Sequence, residues 1–229
     1  MAHPDDSEFS CAGTIASWVR EGWEAYYVVC SDGSGGGSDD AREVGLAERR
    51  KISDLRQVEQ RAACETLGAK DVFFLGYPDG QLQPSLDLRR DIVRMMRRYK
   101  PTRVICQSPD RTWTPVMRLG RYHPDHLAAG RATLEAIYPA CQNPWDFPEL
   151  LEEGLEPHHV REIYISGSPN DSFVVDITET IDLKIKALSA HVSQLEDFPQ
   201  VEERVRAWAA ANGEAHGVKY AETFHRTEN

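Results

Sequence analysis

The chain has 229 residues and a formal net charge of −11, a length that suits one domain spanning 1–229 with its own core and an acidic balance that argues against a nucleic-acid partner. No apolar run approaches the roughly 18 residues needed to span a bilayer, and no charged, then apolar leader opens the sequence, so the expectation is a cytoplasmic protein with no membrane partner; a homo-oligomer is left open. Five scattered cysteines (Cys11, Cys30, Cys64, Cys106, Cys141) form no CxxC pair, which speaks against thiolate-bound zinc and a disulfide framework. In chain order, an apolar helix is predicted near Phe9 to Val19, stopped by Gly22. Tyr26 to Cys30 reads as a buried strand, followed by the loop Ser31 to Gly37. Glu43 to Leu67 reads as a long helix with Gly68 as its stop. Val72 to Leu75 is a second strand, and Leu86 to Tyr99 a basic helix. Val104 to Cys106 is a third strand, and Asp125 to Ile137 a helix. Two short strands (Ile163 to Ile165, Phe173 to Val175) and two helices (Thr178 to His191, Val201 to Ala211) complete the reading. Strands that alternate with helices and are continuously apolar predict an α/β fold with a mostly parallel sheet covered on both faces.

Two four-residue stretches carry the chemistry: His3-Pro4-Asp5-Asp6 and His123-Pro124-Asp125-His126. Each combines histidine and carboxylate with a proline that fixes the turn. Together they supply enough nitrogen and oxygen donors to hold one divalent metal with a position left for water. In the first, His3 and Asp6 can face one centre from a strand-to-helix turn. Asp5, between them, points elsewhere and is free to act on water. The plainer reading is that Asp5, Asp6 and Ser7 only cap a helix. In the second, His123 and His126 are three apart and share a face; either or both can ligate, and Asp125 can orient a neighbouring imidazole. In an open α/β sheet such groups follow the carboxyl ends of strands. A strand is therefore expected before His3, and the expectation is that a first strand is missing from this sequence.

The motif His3-Pro4-Asp5-Asp6 with Gly13-Thr14-Ile15-Ala16, and further Phe74 to Gly80, His123-Pro124-Asp125-His126 and His191-Val192-Ser193-Gln194, resembles the LmbE-like or PIG-L family of zinc-dependent deacetylases, in family order over roughly residues 2 to 195. The resemblance implies a Rossmann-like three-layer α/β sandwich and removal of acetyl from N-acetylglucosamine-type sugars. It implies His3, Asp6 and His126 as zinc ligands, with iron(II) the alternative metal. Asp5 is implied as general base, His123 as the group that stabilises the oxyanion or protonates the leaving amine, and Asp125 as the residue holding that imidazole. Arg56 and Asp79 resemble positions that approach the sugar. The sequence departs from the family in two places: Ser7 stands where an acidic residue is common, with Glu8 following, and Arg121 stands where some members have a tyrosine, with Tyr122 one residue on.

Other features carry less. His191 suits either a helix C-terminus facing the dipole or a place lining the substrate site. The Gly33 to Gly37 loop lacks a following Lys-Ser/Thr and is no phosphate loop. His158 and His159 read as solvent-facing, and Trp113, Trp145 and Phe147 as packing residues rather than a sugar platform. The expected function is a metal-dependent hydrolase acting on a small N-acetyl amino sugar or its conjugate. The alternatives are an amidase for a larger acyl group and a non-catalytic sugar- or metal-binding protein.

Overall fold

The computed structural model describes residues 1–38, 40–113, 122–196, 198 and 200–229. The fold is α/β, and its backbone packs as two compact units: Met1 with His3–Gly80 and Val174–Thr223, and Ala2 with Gln81–Phe173 and Phe224–Asn229.

The first unit begins with two short helices, α1 (Asp6–Ser10) and α2 (Ala12–Arg20), where the sequence predicts one. Cys11, at φ −144° and ψ 9°, breaks the run, and α2 restarts on a buried carboxylate. Glu222 accepts from the backbone N–H groups of Gly13 (3.0 Å) and Thr14 (2.8 Å) and from the Thr14 hydroxyl (2.6 Å). An anion there satisfies two orphan donors of the helix end. The same carboxylate accepts from buried Lys184 at 2.6 Å, and Lys184 also donates to the Phe9 carbonyl at 2.7 Å. Gly13 is needed for close approach, since a Cβ there would lie 2.8 Å from Ile177 Cγ2.

Strands β1 (Tyr26–Ser31) and β2 (Asp71–Tyr77) pair in parallel. Helix α3 (Leu46–Leu67) joins them and ends on Gly68 at φ 73°, whose N–H bonds the Glu65 carbonyl; glycine takes that conformation without steric cost. Met1 donates to the Val28 carbonyl (2.8 Å) and accepts from the Cys30 N–H (2.9 Å), the two bonds of a parallel bridge. No strand is assigned before His3 among the described residues. The apolar core of this unit joins Ile177, helix α7 (Ile181–Leu188) and helix α9 (Val201–Glu214) through Ile181, Ile185, Leu188, Val205 and Ala209.

In the second unit, α4 runs over Leu86–Tyr99, as expected, and is capped by Ser85, whose hydroxyl accepts from the Leu88 N–H. It buries Leu88, Ile92, Val93, Met96 and Arg97. Arg97 donates through Nε and Nη2 to the carbonyls of Ala140, Cys141, Asn143 and Asp146. Strand β3 (Arg103–Gln107) pairs in parallel with β4 (Glu162–Ser166), and β4 pairs antiparallel with β6 (Ala221–Glu228). With β5 (Phe173–Asp176) the sheet order is β3-β4-β6-β5. This sheet is therefore mixed, where a mostly parallel one is predicted. Polar-rich β6 escaped the sequence reading because Phe224 is its one large apolar residue. Helix α5 (Pro124–Glu135) is followed by a kinked turn over Ala136–Cys141, and short helices α6 (Glu149–Glu152) and α8 (Val192–Leu195) complete the set. Gly130 of α5 seats this helix on β3: a Cβ there would come 2.3 Å from the Gln107 carbonyl oxygen.

All five cysteines are buried and free. His158 is half-buried with Nε2 on the Pro101 carbonyl, rather than solvent-facing, and Trp113 and Trp145 are exposed rather than packed. No described helix is long and apolar enough to cross a membrane. Removing one partner of a buried ion pair costs about 3–5 kcal/mol. Lys184→Met is therefore expected to lower stability by about that amount, read as a lower urea midpoint.

Candidate metal and catalytic site

The first half of the site grows out of the turn before α1. His3 is buried. Its backbone N–H donates to Asp6 Oδ2 at 2.7 Å, and its ring Nδ1 lies 3.5 Å from the same oxygen. Its Nε2 lies 3.1 Å from Asp79 Oδ1. Asp79 is itself held by the Gly35 N–H, which donates to its Oδ2 at 2.9 Å. Asp79 thus fixes the imidazole through Nε2 and leaves Nδ1 turned to Asp6, the arrangement in which a carboxylate orients a metal-binding histidine. Asp79, expected near the sugar, has His3 as a partner in the structure.

Asp5 adopts φ 85° and ψ −25°, a left-handed conformation that costs a non-glycine residue about 1–2 kcal/mol. The turn holds because its groups are bonded. The Asp5 carbonyl accepts from the N–H groups of Glu8 and Phe9, and its own N–H donates to Gln60 Oε1 at 2.9 Å. Arg56, buried on α3, donates to the Pro4 carbonyl (2.8 Å), the Gly33 carbonyl (2.9 Å) and Asp5 Oδ2 (3.3 Å). Arg56, expected near the sugar, ties the Asp5 turn to the glycine loop. That loop lies against the guanidinium, since a Cβ on Gly36 would meet Arg56 Nη1 at 2.4 Å. The loop's other anchor is Gln194, which donates to the Gly36 carbonyl at 2.9 Å.

His191, weighed as a residue lining the substrate site, is fully buried. Its Nε2 lies 3.1 Å from Glu8 Oε2, and its Nδ1 has no hydrogen-bond partner among the described residues. Glu8 also accepts from Gln60 Nε2 at 3.1 Å on both oxygens. Sequence reading missed Gln60 and gave Glu8 no role; the one available signal was the spacing of Arg56, Gln60 and Ala63 on a single helix face.

Electrostatics follow from this packing. Burial pushes the Asp5 carboxyl up, neighbouring Asp6 pushes it further, and Arg56, His191 and His3 oppose; the result is about 7. Burial alone lowers the His3 pKa, but hydrogen bonds and charge from Asp6 and Asp79 outweigh it and raise it to about 10. Burial raises Asp79, yet His3, the Gly35 N–H and Arg56 bring it down to about 2.

The second half of the site starts α5. His123 caps the helix, and its Nδ1 accepts from the Asp125 backbone N–H at 3.2 Å. An accepting Nδ1 puts the ring proton on Nε2, which then serves as a donor. Asp125 is fully buried, and its Oδ1 accepts from the Leu82 N–H at 3.1 Å. The His123 and His126 rings lie 5.4 Å apart, centroid to centroid. Tyr122 accepts from the Thr112 N–H at 2.8 Å through its hydroxyl. Arg121, where the family's tyrosine was expected, lies outside the described residues.

His3 offers nitrogen and Asp5, Asp6 and Asp79 offer carboxylate oxygen, around one imidazole and one guanidinium. The His3 imidazole and the Asp6 carboxylate beside it are the nitrogen and oxygen donor types that a divalent metal ion takes.

Known proteins agree with this chemistry. The model of the PIG-L family, GlcNAc-PI de-N-acetylase, matches residues 1–137. The diacetylchitobiose deacetylase of Thermococcus kodakarensis is 30% identical over 224 residues, 96% of this chain and 78% of the relative. A probable N-acetyl-alpha-D-glucosaminyl L-malate deacetylase 2 of Bacillus cereus is 30% identical, covering 85% of this chain and 81% of its own. The solved N,N'-diacetylchitobiose deacetylase of Pyrococcus horikoshii superposes with a TM-score of 0.86 at 29% identity, over 98% of this chain and 80% of that one. The chain belongs to the PIG-L family.

The raised His3 pKa sets a sign. A group raised in the folded state contributes stability that is fully present below its unfolded value, 6.5 for His3, and lost as pH rises through about 10. Metal-free protein is expected to lose urea stability over that window. Asp79→Asn is expected to flatten the loss, read from urea midpoints at intervals between pH 6 and pH 10.

Proposed function

We propose that the protein is a metal-dependent N-deacetylase that releases acetate from an N-acetyl amino sugar or an N-acetylglucosaminyl conjugate. The observation that carries the reading is the His3 ring held between Asp6 and Asp79, with Asp5 set apart in its own turn against Arg56. Separate residues are thereby available for holding a metal and for moving a proton. The deacetylase relatives support the reaction class. Both packing units act in it as one domain.

His3 and Asp6 hold the metal, with His126 as third ligand. A divalent ion bound there supplies Lewis acidity toward the acyl oxygen and makes water more acidic. Asp5 takes a proton from the attacking water; its raised pKa, about 7, suits a base working near neutrality. His123, with its proton on Nε2, donates to the oxyanion that develops on the acetyl oxygen as the water oxygen bonds to the carbonyl carbon. Asp125 sets that ring through its backbone N–H. The C–N bond breaks, the proton that Asp5 took from water passes to the leaving amine, and the products are acetate and the free amino sugar. Tyr122 borders the sugar. Arg56 shapes the pocket by fixing the glycine loop, and His191 acts from behind the turn.

The test is acetate release from a panel of N-acetylated amino sugars, including N-acetylglucosamine and N,N'-diacetylchitobiose, with metal-depleted and zinc-reloaded protein side by side. Release that depends on the metal is expected. Release of a larger acid in place of acetate would move the reading to an amidase, and tight zinc binding without any product to a binding protein.

Asp5→Asn and His123→Ala are each expected to lower kcat by about 10²–10⁴-fold with metal content unchanged. His126→Ala is expected to lose metal, measured by elemental analysis after dialysis; full retention would remove His126 from the ligand set.

A further inference from the structure

Gln60, Glu8 and His191 form a fully buried polar chain with no exposed atom to bind a ligand. Among the described residues, the one side-chain hydrogen bond that leads out of it is the 2.9 Å bond from the Asp5 N–H to Gln60 Oε1. The orientation of the Gln60 amide is fixed by its neighbours. Glu8 presents two acceptor oxygens to it, and the Asp5 N–H presents a donor. Turned over, the amide would set its oxygen against a carboxylate and its NH2 against an N–H. Glu8 is in turn held by His191 Nε2 at 3.1 Å. The chain therefore ends on the backbone of the residue whose left-handed conformation aims its carboxylate.

We infer that Gln60 is a positioning residue for Asp5, oriented by Glu8 and His191: it holds the strained Asp5 turn in the one geometry from which the carboxylate reaches the attacking water. The inference rests on the reading of Asp5 as general base. Arg56 restrains the Asp5 side chain at 3.3 Å, but Gln60 alone takes the Asp5 N–H among the bonds formed by the described residues. Without that acceptor the buried N–H is unpaired, and the turn loses a bond that offsets its strain. Misplacement of a reacting group by about 1 Å can cost on the order of 100-fold in rate.

The experiment compares wild type, Gln60→Met, Asp5→Asn and the double variant as zinc-loaded holoenzymes, with N,N'-diacetylchitobiose and N-acetylglucosamine as probes. Methionine keeps the length of the side chain and removes both hydrogen-bonding ends. Gln60→Met is expected to lower kcat by about 10–100-fold, with KM within about twofold and metal stoichiometry unchanged. In the Asp5→Asn background the same substitution is expected to change the residual rate by less than about twofold, because the group it positions is gone. Amide exchange at Asp5, followed by NMR, is expected to quicken in Gln60→Met.

An unchanged kcat in Gln60→Met overturns the inference. So does an equal loss in both backgrounds, which marks a general structural role. Wild-type kcat in Asp5→Asn instead overturns the base reading, and absence of acetate release by wild type overturns the proposed function; either takes the inference with it. Should Gln60→Met not fold, Glu8→Gln replaces it. That variant keeps the size of the side chain but removes the charge that orients the amide. A fall in kcat confined to the Asp5 background is then expected, and equal effects in both backgrounds overturn the inference.

Discussion

The inner face of α3 carries Arg56, Glu59 and Gln60 into the interior, and this sets the terms for everything around it. A buried charge or amide is costly unless each of its polar atoms is bonded. The partners come from three separate loops. The His3 to Asp6 turn supplies the Pro4 carbonyl and the Asp5 N–H and carboxylate. The glycine loop supplies the Gly33 carbonyl. The segment after α7 supplies the N–H and hydroxyl of Ser193, both donated to Glu59, at 2.8 and 2.7 Å. One helix thus fixes three loops by the need to satisfy its own polar face.

That constraint explains why a strained backbone survives at Asp5. Left-handed geometry at a non-glycine position persists when its surroundings over-determine it. Here the N–H, the carbonyl and the carboxylate each have a partner. The same logic holds farther along the first unit. Glu222 could not be buried alone, but with Lys184 and the start of α2 it forms a closed set of donors and acceptors. In the second unit Arg97 plays the equivalent part by gathering four carbonyls of the turn that follows α5.

The strand and helix order was largely legible. Gly68 marked a helix end that the structure retains, because caps act locally. The break at Cys11 was not legible. It depends on Glu222, more than 200 residues away in the chain. Nor was β6, whose pairing with β4 rather than its own composition makes it a strand.

The site divides in the same way. The two His-Pro-Asp motifs announced themselves, since residue type and proline-fixed turns are local properties. The His3 ring does lie beside the Asp6 carboxylate, and His123 does begin a helix. Asp79, Arg56 and His191 were picked out, but not the interior partners that hold them. A sequence shows that a polar residue is present; only packing decides whether it faces a ligand or an interior partner. Gln60 went unnoticed because an amide on a polar-looking helix resembles a solvated one until the helix is placed. The sequence by itself determined the family, the order of the elements and the donor chemistry, all properties of residue type and short-range spacing. Only the tertiary structure decided which of those polar groups were buried together, because hydrogen-bond satisfaction in a water-poor interior is settled between segments far apart in the chain.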